Sequence, residues 1–287
     1  MSNSFLNIFF FLITTAVYYY GLKPLLTYET TIDLKRYEDY TKNNYMYLGI
    51  YLLMVLFIQL LANAYIITSN CGGSVKENIG ASFLFTIIPW TLIFGFVIVA
   101  VQTGFPFGSD YVSAFSNVIG YFWVSTSANK ILNELLIDRN IQNKIDEDST
   151  LTSEQKKTMQ SAADAIIKIC GNTSILINQI VPSNFNEYWN ILTPLKKQQY
   201  QIDNEDTAKI RDELFEIVLT KYNVGESMWY IYTGILLIAY VQLKITTRGC
   251  VSNIKTMEEN YNKFKEEEQK MKDEKELATS TTYTITN

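Results

Sequence analysis

Apolar residues are not spread evenly along this chain but gathered into blocks whose lengths match a lipid bilayer. The first, Phe5 to Leu22, reads FLNIFFFLITTAVYYYGL and stops at Lys23-Pro24. That length is close to the ~20 residues a helix needs to cross a hydrocarbon core. A removable signal peptide is the rival reading. No positively charged segment precedes the block, and Tyr18, Tyr19 and Tyr20 fit an interfacial belt better than a small-residue cleavage site, so a retained span is expected. Residues 45–68 form the second and cleanest block. A third, 81–101, carries Pro89-Trp90 near its middle, where the missing backbone donor predicts a kink. The stretch 111–129 is long enough to cross but rich in Ser and Asn. It reads as a packed fourth span or a re-entrant hairpin, the full crossing being preferred. The last block, 227–247, is flanked by aromatic residues and predicts a final transmembrane helix.

The polar stretches between these blocks set the rest of the organisation. Residues 23–44 mix both signs of charge and read as a loop at the membrane surface. Gly72-Gly73 predicts a tight turn, since paired glycines accept backbone angles that other residues resist. From 130 to 226 charges become frequent and apolar residues take helical spacing, as at Ile131 and Leu135 or Leu214, Ile217 and Val218. That pattern predicts a soluble helical domain. Beyond the last span, Ile254, Met257, Tyr261 and Phe264 recur at heptad-like intervals among Lys and Glu. They predict an amphipathic helix that either meets a partner or stands solvated, followed by a polar, disordered end. The reading is therefore an all-α integral membrane protein with four to five transmembrane helices. It divides into a membrane domain over 1–129 (spans 5–22, 45–68, 81–101 and 111–129), a soluble helical domain over 130–226, a last transmembrane helix over 227–247 and a charged helical tail over 248–287.

Composition narrows the chemistry. The chain has no histidine, which removes the commonest general base and metal ligand, and it contains no GxGxxG, GxxxxGK or GxSxG motif. No enzyme activity and no cofactor are expected. A net charge of −5 gives no basic face for nucleic acid. Gln59 and Asn63 lie four apart in the second block and so share a helix face. With Ser116 and Asn117 they are read as polar helix-packing groups, or alternatively as the lining of a channel or carrier. The three cysteines, Cys71, Cys170 and Cys250, lack metal-ligand spacing. With five crossings, the loop at 23–44 and the tail share a face, assigned to the cytosol by Lys23, Lys35, Arg36, Lys42, Lys244, Arg248 and Lys255. The turn at Cys71 and the helical domain then share the other, where Cys71 and Cys170 are a possible disulfide and three free thiols are the alternative.

One stretch carries a resemblance. Asn70-Cys71-Gly72-Gly73, Pro89-Trp90, Ile93-Phe94-Gly95, Phe105-Pro106, Phe115-Ser116-Asn117 and Gly120-Tyr121 occur in that order over about fifty residues. The order resembles a multipass membrane protein family of the nucleocytoplasmic large DNA viruses, of virion inner-membrane or minor capsid type. Phe107-Gly108 and Ala114 depart from that family's Phe-Pro-Gly-Trp and Pro-Phe-Ser-Asn. The resemblance implies a structural protein of a giant virus particle, anchoring an internal membrane derived from host endoplasmic reticulum to the capsid shell. Its implied partners are the lipid bilayer and capsid or other virion membrane proteins, with no catalytic residues. A membrane scaffold of the endoplasmic reticulum is the plainer alternative. Nothing in the sequence sets an oligomeric state.

Overall fold

The computed structural model describes residues 2–72, 74–104, 111–136, 173–248, 250 and 254–280. Among them the chain is predominantly helical, with short loops between helices and one isolated bridge between Leu136 and Lys196. Helix α1 (Ser2–Val17) runs on through a π-helical turn at Tyr18–Leu22, and a short α2 (Tyr28–Ile32) follows. Helix α3 (Leu34–Cys71) is capped at its start by Asp33, whose carboxylate accepts from the backbone of Lys35 and Arg36. At its other end Gly72 takes φ 73°, a left-handed angle that suits glycine. Gly73 lies outside the described residues.

Ser74 and Glu77 cap each other's backbone at the start of α4 (Val75–Pro89). The expected break at Pro89 takes a definite form: a π-helical turn at Trp90–Phe94, after which α5 (Gly95–Thr103) continues the same span. A proline cannot donate to the turn before it, and a wider turn absorbs the lost bond. Then come α6 (Ser113–Phe115), a third π-helical turn at Ser116–Gly120, α7 (Tyr121–Leu135), α8 (Thr173–Gln179) and α9 (Phe185–Ile191). Helix α10 (Glu205–Arg248) is 44 residues long, and α11 (Ile254–Ser280) is the charged tail.

Among the described residues, four segments are long and apolar enough to cross a membrane: Phe5–Leu22, Leu34–Cys71, Val75–Thr103 and Glu205–Arg248. The chain is an all-α membrane protein, and among the described residues the stretch 111–129, expected as a fifth crossing, is not one of the segments that qualify by length and composition. Instead, α7 runs beside the first half of α10, while Phe115 of α6 packs on Trp229 and Tyr232 farther along that helix. Ser116 sits against Gly225, Gly120 against Lys221, and Ile131 and Leu135 share a core with Ile210, Leu214 and Val218. That half of α10 carries Glu205, Asp206, Lys209, Arg211, Asp212, Glu213 and Glu216, a charge density no lipid-facing segment sustains. At 1.5 Å per residue, α10 is roughly 66 Å long, about twice the ~30 Å hydrocarbon core, so its first half stands clear of the bilayer.

Four crossings in place of five regroup the two faces: the helical domain joins the loop at 23–44, and the tail joins the turn at Cys71. The loop at 23–44 lies with the helical layer: Leu26 and Tyr28 are buried in that layer's core, and the Tyr28 hydroxyl donates to Asn186 at 2.8 Å. The helical layer accordingly begins earlier than residue 130 and takes in α2 and α7, whereas Tyr111 and Val112, just before α6, pack into the core of the membrane bundle. The turn at Cys71 shares the opposite face with the end of α10. There Cys71 is joined to Cys250 by a disulfide, their α-carbons 5.1 Å apart. The expected Cys71–Cys170 pair is therefore not formed, because the chain recrosses the bilayer between the Cys71 turn and the helical layer; Cys170 lies outside the described residues.

Candidate functional site

Each of the four spans contributes at least one polar side chain to each of two buried clusters, one toward either face. Toward the disulfide face the centre is Asn63 on α3. Its Oδ1 accepts from Asn7 of α1 at 2.9 Å and from Gln242 of α10 at 3.0 Å, while its Nδ2 donates to Thr86 of α4 at 2.9 Å. One side chain thus ties all four spans. Gln59, one turn away, donates to the backbone carbonyl of Asn7 at 3.4 Å, and Asn63 and Gln59 are both fully buried. In lipid an unpaired amide has no water to turn to, which is why these groups find one another.

Toward the helical face the centre is Glu226 on α10. Its carboxylate pairs with Lys23 at the end of α1 and accepts from Gln102 of α5 at 3.0 Å and from the Tyr230 hydroxyl at 3.1 Å. Lys23 also donates to Asn223 at 2.9 Å, and Asn44 of α3 donates to Gln102 at 3.1 Å. The ion pair is almost completely buried, with the Lys23 and Glu226 side chains 8% and 1% exposed. The two clusters are sixteen residues apart along the first, third and fourth spans and nineteen along the second. At the helical rise that is roughly 24–29 Å, close to the thickness of the hydrocarbon core.

Between the clusters the bundle is filled by rings. Tyr18 stacks on Tyr51 at 4.6 Å, Trp90 lies 5.5 Å from Phe11, and Phe94 meets Tyr51 and Tyr230. The π-helical turns at Tyr18–Leu22 and Trp90–Phe94 supply four of these packed or flanking rings, Tyr18, Tyr19, Trp90 and Phe94. A β-carbon at Gly234 would collide with the Phe11 ring, so α1 and α10 approach as closely as they do only because that residue is glycine.

Above the Glu226 cluster a cavity of about 450 Å³ separates the span ends from the helical layer. It is lined by Lys23, Asn44, Gln102 and Glu226 at its base and by several tyrosines, with Val181 to Ser183 of the helical layer across from them.

The other residues singled out in the sequence fall apart. Ser116 and Asn117 lie outside the spans. Ser116 packs on Gly225, and Asn117 accepts from the buried Lys221 ammonium at 3.3 Å, which also donates to the Ile177 carbonyl at 2.7 Å. They therefore do not line one path with Gln59 and Asn63. On α11, Tyr261 and Phe264 are exposed, and the side chains of Ile254 and Met257 lie outside those described. What sequence reasoning missed are the buried lysines. Lys196 lies 3.3 Å from the centre of the Trp189 ring, and burial, with the Arg211 charge adding, pushes its ammonium down to about 8.

Comparison with protein-family models, with curated proteins and with solved structures finds no match to this chain.

Proposed function

We propose that the protein is a structural membrane anchor that holds a helical layer at fixed height on one face of a bilayer, and that it serves a large DNA virus particle by linking the internal membrane to the capsid shell. The observation that carries the anchoring role is the continuity of α10. A single helix is both the fourth span and a core element of the helical layer, so force on that layer passes into the membrane bundle without a hinge. The viral setting rests on the resemblance over Asn70 to Tyr121. Such a part works through binding faces rather than an active site. The helical layer is the face offered to the shell, as a minor capsid protein would offer it.

Charge and sulfur support one orientation. Lys23, Lys35, Arg36 and Lys42 cluster on the helical face, as expected of a cytosolic side, while the Cys71–Cys250 disulfide on the other face calls for an oxidising compartment such as the endoplasmic reticulum lumen. Cross-linking mass spectrometry of purified particles tests the function. Links from Lys35, Lys197 or Lys209 to a shell protein are expected. Absence of the chain from particles, or links to other partners alone, overturns the viral assignment.

A further inference from the structure

The cavity above Glu226 contains a buried polar atom with nothing to bind. Asn44 is only 7% exposed, and its amide nitrogen is spent on Gln102. Its Oδ1 is buried without a partner. The orientation of that amide is fixed by chemistry. The Glu226 carboxylate can only accept, so Gln102 must turn its NH₂ toward Glu226 and its carbonyl toward Asn44, and Asn44 must answer with its own NH₂. The orphan is therefore an acceptor. Leaving a buried acceptor empty is costly, and only a donor relieves it.

The surroundings narrow what that donor is. Tyr37, Tyr40, Tyr45 and Tyr222 line the same cavity, and ring faces attract a cation. Lys23 and Glu226 bring opposite charges that cancel, so a ligand that is itself neutral but charge-separated fits better than a net ion. The Tyr40 hydroxyl and the Lys23 ammonium are donors for an anionic group, while Glu226 and the Asn44 Oδ1 suit an ammonium. The cavity also sits beside Lys23, just past the end of the first span, beside Thr103 at the end of the third, and at Glu226 where α10 passes between the bundle and the helical layer, which is the depth of lipid headgroups. Its volume lies in the range of small-molecule sites, ~300–1,000 Å³.

We infer that this cavity binds a phosphoethanolamine group, with its primary ammonium at Asn44, Glu226 and the tyrosine faces and its phosphate toward Lys23 and Tyr40. The membrane is one source of that group, as phosphatidylethanolamine, and a soluble phosphoethanolamine ester is the other. Phosphatidylcholine carries the same charges but has no N–H for Asn44 to accept.

The test uses the full purified chain in nanodiscs of phosphatidylcholine, alone or with an equal fraction of phosphatidylethanolamine or phosphatidylglycerol. Thermal unfolding midpoint and native mass spectrometry of retained lipid are read together. Phosphatidylethanolamine is expected to raise the midpoint and to be retained, whereas phosphatidylglycerol is not. Adding soluble glycerophosphoethanolamine to the phosphatidylcholine discs identifies the source: the same rise there means that the group alone is recognised, and no rise means that the lipid is required. Stepwise N-methylation of the lipid probes the orphan acceptor without any mutation, with retention falling about tenfold once the last N–H is lost. Asn44→Leu is expected to erase the difference between lipids. Equal retention of all three lipids, or full retention of the trimethylated one, overturns the proposal.

Discussion

The two polar clusters of the membrane bundle meet the same difficulty in opposite ways. Near the disulfide face the spans are tied by neutral amides and a hydroxyl around Asn63; near the helical face they are tied by an ion pair, Lys23 with Glu226, wrapped in further hydrogen bonds. Depth accounts for the contrast. The Asn63 cluster lies inside apolar stretches of all four helices, where a charge would have nothing but lipid and rings around it. The Glu226 cluster lies where the spans end and a protein layer begins, so charged groups there are covered by protein and supplied with enough donors to be held. Specificity follows the same division. Amides around Asn63 set which helix faces meet, whereas the charged cluster also sets the level at which the spans meet the helical layer.

The largest test of that contrast removes one charge. Glu226→Leu leaves Lys23 buried beside Asn223 and the Tyr19 ring with no counter-charge, and unfolding in detergent should show a loss of about 3–5 kcal/mol. Replacing both, Lys23→Met with Glu226→Leu, should recover most of it, because two absent charges leave little to desolvate. A double variant as unstable as the single one breaks the account.

A smaller loss is expected where the helical layer docks on α10. A β-carbon at Gly225 would fall on the backbone of Ser116, and one at Gly120 on the carbonyl of Lys221. Neither neighbour is a flexible side-chain end, so Gly225→Leu should cost about 1–3 kcal/mol and open the contact between α6 and α10. Hydrogen exchange over 113–135 reads this directly. Protection unchanged in the variant would mean that 113–135 is held by something other than α10, as a separate span would be.

The smallest effect belongs to Asn63. Buried hydrogen bonds in membranes average about 0.6 kcal/mol and reach about 1.7, so Asn63→Leu should cost about 1 kcal/mol despite its three partners. Its loss should leave the topology intact, as reported by cysteine accessibility at positions on the two faces. A cost equal to that of Glu226→Leu would erase the distinction between the clusters.

Parts of this architecture were legible along the chain because they rest on local rules. Crossing a bilayer requires about twenty apolar residues in succession, so 5–22, 45–68, 81–101 and 227–247 declare themselves, and Gly72 and Pro89 mark a turn and an irregular turn by their own backbone limits. Asn63 and Gln59 stood out for the same reason, as amides inside an apolar run. Lys23 and Glu226 did not, since a charge at the end of a span is ordinary until another helix covers it. The stretch 111–129 was ambiguous because its Ser, Asn and aromatic residues suit a packed span and a helix laid on protein equally well, and only the partner distinguishes them. That partner is the charged half of α10, far away in sequence. One crossing fewer then moved Cys250 beside Cys71 and the loop at 23–44 into the helical layer. Segment identity is decided by the transfer of residues from water to lipid, which each stretch settles for itself. Sidedness, sulfur pairing and the ion pair depend on which helices end up adjacent, and that is a property of the whole packed bundle.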